Sequence, residues 1–221
     1  GLSTTVSGVI SDCGAGGTAC NTPGATGGAL VIHGNQLTLT GANTYTGGTS
    51  VDGGSLTLGD AATRGSIVGD VTVASGALYL VNTDLSGVGT IGNAGITYFR
   101  NGTNADDIAL NNSGYIVFQD TSSAGDSAIA NSNYLSFTGN ATAGNAAITN
   151  NPGGTVDFSA SSGPNGDHRL SAGSIAGAGD FILGANTLTV GANNNSTTVD
   201  GVISGTGGSL IKTSSGTLTL S

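Results

Sequence analysis

Several short stretches carry residue types that could do chemistry. GDSA at Gly125 to Ala128 places Ser127 beside Asp126 in a glycine turn, a setting that can present a nucleophile. One repeat later the same position reads GNAA, Gly144 to Ala147, and a nucleophile that becomes alanine in its own repeat is better explained as a turn. GVGTIG at Gly87 to Gly92 matches a dinucleotide-binding glycine pattern, but no helix is expected after it and Ile91 falls in a column of apolar residues. GAGDF at Gly177 to Phe181 misplaces its aspartate for a calcium-binding nonapeptide and occurs once. His33 and His168 have no companion His or Cys at metal-ligand spacing, and Asp106 with Asp107 reads as a solvated turn. No G-x-S-x-G elbow is present. The expectation is a chain that is not an enzyme, with no catalytic residue, no metal and no cofactor.

Cys13 and Cys20 are the only cysteines, close together in a glycine-rich stretch. They lack a second ligand pair for zinc, so a disulfide staple of an inserted loop at 11–26 is expected, and with it an oxidising compartment. Closing so small a loop contributes about 2 to 3 kcal/mol in the chain-entropy model.

Composition defines what must position these residues. The 221 residues include 41 Gly, no Met and no Trp, and only 8% are charged. All 13 acids are Asp, set against four cations, Arg64, Arg100, Arg169 and Lys212, which are far apart. A net charge of −9 argues against nucleic acid and anionic lipid as partners. No apolar run approaches the roughly 18 residues of a membrane helix, so no direct membrane insertion is expected. Gly, Thr, Ser, Asn and Val dominate at the expense of good helix formers, which points to an all-β chain.

A five-residue unit organises that chain: Gly or Asn, any residue, apolar, any residue, apolar. It reads NQLTL ending at Leu39, then GSLTL, GALYL, GITYF, GYIVF, NYLSF, GTVDF, NTLTV and finally GTLTL at Leu220. Thr97 alone breaks the first apolar slot. Successive units end 19 to 22 residues apart as far as Phe158, then 32 and 30 apart. Period-two alternation makes each unit a strand with one buried face. Two further columns recur with the same spacing: Ile91, Leu110, Ile129 and Ile148, and Asn93, Asn112, Asn131 and Asn150. A period near 20 with several short strands per repeat predicts a right-handed, single-stranded parallel β-helix. It spans 1–221 as a single body of roughly ten to eleven coils, about 50 Å long at ~4.8 Å per coil. Phe99, Phe118 and Phe137 are then expected to stack inside it. The irregular stretch 159–174 is expected to protrude as a second inserted loop, with Asp167, His168 and Arg169 as candidate partner contacts.

STTVSGVIS at Ser3 to Ser11 returns as STTVDGVIS at Ser196 to Ser204. Residues 37 to 58, LTLTGANTYTGGTSVDGGSLTL, resemble the passenger-associated transport repeat of bacterial autotransporters, the type V secretion proteins. The tail from Gly201 to Ser221 is similar to the stretch that leads into such a repeat. The resemblance implies a secreted β-helical passenger domain, exported across the outer membrane to the bacterial cell surface or beyond. Its partner in the full-length protein would be the C-terminal outer-membrane β-barrel. Asn43, Tyr45, Thr46, Gly47 and Gly48 would be its transport-repeat motif, acting as a turn that stacks within the rod. The chain starts at Gly1 and carries neither signal peptide nor barrel, so it reads as a passenger fragment. The leading expectation is an adhesin segment mediating attachment or aggregation, through a host surface or self-association at its open ends. A second reading is a stalk and folding template for a functional head elsewhere. A third, a polysaccharide-acting enzyme, lacks clustered carboxylates or a basic set on one face.

Overall fold

The structure, a computed structural model, describes residues 2–12 and 27–221, and it is a parallel β-solenoid of about ten turns with no helix among them. Every pairing between named strands is parallel, and each coil pairs with the coil before and after it. The solenoid follows from the alternation found in the sequence. Each strand buries every second residue, and the next coil repeats that pattern one pitch away.

Three walls enclose the core. The first carries Val71–Val73, Thr90–Asn93, Ala109–Asn112, Ala128–Asn131, Ala147–Asn150 and Ser174–Ala176 in successive coils. The second carries Ala77–Val81, Ile96–Arg100, Tyr115–Phe118, Tyr134–Phe137, Thr155–Asp157 and Asp180–Ile182. The ten-residue strand Thr49–Leu58 supplies both walls. Its first half pairs with Val71–Val73 and its second half with Ala77–Leu80. The third wall is thinner. It consists of short bridges through Asn104, Ser123 and Thr142, followed by Arg169–Ala172, Thr187–Val190 and Ser209–Lys212.

Vertical alignment holds for the phenylalanines the sequence singles out. Phe118 pairs in register with Phe99 and Phe137, and all three are fully buried. Their rings stack at 4.3 and 5.0 Å between centroids, and Phe158 continues the stack at 4.9 Å. Turns obey the same periodicity: Asn82, Asn101, Asp120 and Gly139, each 19 residues apart, all have positive φ between 49° and 65°. Asn, Asp and Gly tolerate that left-handed backbone better than other residues.

The last two copies of the five-residue unit fall elsewhere. NTLTV lies in the third wall, where Val190 pairs with Ala172 and Lys212, and Leu220 stacks on Val199 outside the phenylalanine column. The pattern specifies alternation, and alternation is common to every wall. The true successor of GTVDF is GDFIL at Gly179 to Leu183, with Phe181 in register with Val156. Leu183 follows Phe158 by 25 residues, six more than a 19-residue coil. The segment 163–168, exposed from Pro164 onward, accounts for that excess, because Arg169–Ala172 is already back in a strand. The protrusion expected at 159–174 is therefore narrower than the sequence suggested.

Candidate functional site

At the corner between the first two walls, four asparagine side chains turn inward and form a ladder. Asn93 Nδ2 donates to Asn112 Oδ1 (2.8 Å), Asn112 Nδ2 to Asn131 Oδ1 (2.7 Å), and Asn131 Nδ2 to Asn150 Oδ1 (2.8 Å). Each second amide proton reaches a carbonyl of the next coil, as Asn112 Nδ2 does at Tyr134 O (2.9 Å). All four residues are buried, and the bonds meet the requirement that buried amides be paired. Thr97 explains itself here. The coil before Asn93 offers Val73 at the ladder position, which leaves Asn93 Oδ1 without a neighbouring amide. The buried Thr97 hydroxyl donates to that oxygen at 3.0 Å. The one break in the apolar slot is the ladder's terminal cap.

The motif residues at 43–48 are also wired into the rod. Buried Asn43 accepts from Ile10 N (2.9 Å) and donates through Nδ2 to Gly41 O (2.9 Å) and Ser66 O (3.0 Å), linking three coils. Tyr45 is buried, with its hydroxyl 2.7 Å from Thr49 Oγ1, and burial raises its pKa. Gly47 N donates to Gly28 O. Gly48 has φ of +81°, and a Cβ there would lie 2.9 Å from Asp70 O, so glycine fits both the backbone and the space. Thr46 donates through its hydroxyl to Asp12 Oδ2 (2.7 Å), while Asp12 Oδ1 also accepts from Gly28 N (2.6 Å). Asp12 thus ties Gly28 and Thr46 together at one point. The hydrogen bonds from Thr46, then that from Gly28, hold its carboxyl below the ordinary range. Cys13 and Cys20 lie outside the described residues.

The candidate contact residues at 167–169 do not converge. Asp167 Oδ1 accepts from Arg169 N at 3.1 Å, capping the turn into the strand. His168, at φ of +60°, places Nδ1 2.8 Å from Asn186 Oδ1, and buried Asn186 donates onward to Phe158 O. These contacts anchor the protrusion to the core. Arg169 begins the strand, exposed.

The motifs that resemble catalytic ones are turns and the strand starts that follow them. Ser127 is fully buried and its hydroxyl has no hydrogen-bond partner, while Asp126 accepts from Asn145 of the next coil at 2.6 Å. Ile91 of GVGTIG is buried in register with Leu110. His33 is exposed and 3.5 Å from Asp52. Among the described residues no group of three His, Cys, Asp or Glu is placed to hold a metal.

Sequence reasoning missed a surface feature. Tyr79 and Tyr98 project outward from the second wall and stack at 5.1 Å with their planes 2° apart. The Arg100 guanidinium sits 4.6 Å from the Tyr98 ring centre and 5.0 Å from that of Tyr79. One column across, Tyr115 and Tyr134 are in register, and Tyr134 donates to Asp157 Oδ2 at 2.8 Å. Desolvation, then that bond and the Asp157 charge, push the Tyr134 pKa up to about 12. A groove of about 760 Å³ opens between Tyr79, Tyr115 and the polar side chains of Asn35, Gln36, Ser55 and Ser75. The signal was present in the sequence: these tyrosines occupy the second or fourth slots of GALYL, GITYF, GYIVF and NYLSF, the slots that alternation turns to solvent.

Comparison with family models, with curated proteins and with solved structures finds no match. No helix of the described residues is long and apolar enough to cross a membrane.

Proposed function

We propose that this chain is a non-enzymatic passenger segment of an autotransporter, carried to the cell surface by an outer-membrane β-barrel and contributing there to attachment or aggregation. The observation that carries the reading is the place of the GANTYTG segment. A stretch that resembles a transport repeat ties three successive coils together through Asn43, as a folding template should. A solenoid whose coils contact only their neighbours can also fold progressively as it emerges, without waiting for distant partners. The net charge of −9 disfavours nucleic acid as the partner.

A second reading, a stalk that displays a head elsewhere in the chain, draws on the interior. The asparagine ladder and phenylalanine stack fill the rod with structural contacts.

Both readings meet one experiment. The segment is placed between a signal peptide and an outer-membrane β-barrel, and surface exposure is read by external protease alongside cell aggregation and adhesion. Display with adhesion supports the first reading, and display without adhesion supports the stalk. Retention in the periplasm, in a folded and protease-resistant state, overturns both.

A further inference from the structure

We propose that the groove on the outer face of the second wall is a binding site for a neutral oligosaccharide chain lying along the rod axis. Its shape comes from the register. Gln36, Ser55, Ala77, Ile96 and Tyr115 form one outward column, each paired with the next. Ser55 and Ala77 are small and sit between bulkier Gln36 and Ile96, so the column sinks in its middle coils. Five coils span about 19 Å at the coil spacing, which suits an extended chain of several sugar rings.

The lining selects the class of ligand. None of the groove's lining residues is charged, and Arg100, 5.0 Å from the Tyr79 ring centre, is engaged with the tyrosine pair. Hydrogen bonding falls to the amides of Asn35 and Gln36 and the hydroxyls of Ser55 and Ser75, which offer neutral donors and acceptors together. Tyr115, 49% exposed, and half-buried Tyr79 offer ring surface for the C–H face of a pyranose, with a phenolic hydroxyl at the tip. Apolar surface with a few directed polar groups is the usual make-up of a small-molecule site. An extended peptide fits less well, because pairing between coils already engages the main chain of Ser55, Ala77 and Ile96, leaving no free edge to extend. An acidic glycan meets no cation in the groove and an overall negative protein.

The site stands on the groove alone, so its test uses the purified chain and leaves the secretion reading untouched. Calorimetry against cellohexaose, maltohexaose, xylohexaose and chitohexaose is compared with a polygalacturonate hexasaccharide and an uncharged extended hexapeptide. The expected result is saturable binding of at least one neutral hexasaccharide, about tenfold weaker in Tyr115→Ala and in Tyr79→Ala, and kept in Tyr115→Phe. Ala77→Tyr, which fills the depression from a solvent-facing position, should abolish it. Unchanged circular dichroism and melting confirm that each variant is folded. Binding of none of the four neutral chains at millimolar concentration overturns the proposal. So does preference for the acidic chain or the peptide, or affinity unmoved by the tyrosine and Ala77 variants.

Discussion

Asn112 shows how much one side chain can hold in this rod. Its amide makes four bonds, to Asn93, Gly114, Asn131 and Tyr134. Asn112→Ala removes them and strands the buried Asn131 oxygen, so urea unfolding should report a loss of about 2 to 4 kcal/mol. Asn112→Asp places a carboxylate against two acceptors, Asn131 Oδ1 and Tyr134 O. That carboxyl should have a folded-state pKa above its unfolded value, so this variant should be weakest near neutrality and recover as pH falls and the group protonates. Tyr134 gives a second residue-scale prediction. An ultraviolet titration should find one tyrosine ionising at about 12, and Asp157→Ala should bring it down by removing both acceptor and charge. A raised folded-state pKa means that this contribution to stability is complete below the unfolded tyrosine value. It is lost as pH rises through that value toward about 12.

Strands and turns set the next scale. Phe118 lies between Phe99 and Phe137, and Phe118→Ala should cost about 3 to 5 kcal/mol, measured by chemical denaturation. Because each coil touches its neighbours, the damage should centre on the coils of residues 96–137 in hydrogen exchange. The Asp12 carboxylate, which joins Gly28 and Thr46, belongs to this scale as well. Its folded-state pKa is lowered, so its bonds to Thr46 and Gly28 are complete above the unfolded carboxyl value and are lost as pH falls through the lower folded one. Exchange protection of the Thr46 and Gly28 amides should fall over that acid range, and in Asp12→Ala, which has no side-chain acceptor, it should be low throughout. Strand register was legible in advance because side-chain alternation and a fixed interval are both written along the chain, as Ile91, Leu110, Ile129 and Ile148 attest. Wall assignment was less legible. NTLTV and GDFIL satisfy the same local rule, and the six extra residues at 163–168 disguise which of them continues the stack. Thr97 looked like an imperfection because its partner, Asn93, belongs to a different column of the repeat. The tyrosine groove was hidden for a related reason: its depth depends on which small residues become vertical neighbours, a property of coil stacking.

At the scale of the whole molecule, burial is uneven along the axis. Coils from about Val71 to Val190 bury their inward-facing apolar residues almost fully, whereas Ile203, Leu210 and Leu218 remain half-exposed and Leu220 is 58% exposed. Leu218–Leu220 pairs with Thr197–Val199 on one side among the described residues. Its amides should therefore exchange well before those of Tyr115–Phe118, which are paired on both sides, with the difference read by hydrogen–deuterium exchange under native conditions. The asparagine ladder gives the rod a direction. In each of its three side-chain rungs the donor sits on the earlier coil and the acceptor on the later one. A chain laying down turns from its N-terminal side thus always offers the incoming turn a proton seeking an oxygen at one fixed height. A turn arriving one residue out of step would present its wrong face there and leave that proton unanswered. Over the four coils that carry it, the ladder thus penalises a winding that is out of phase with the one before.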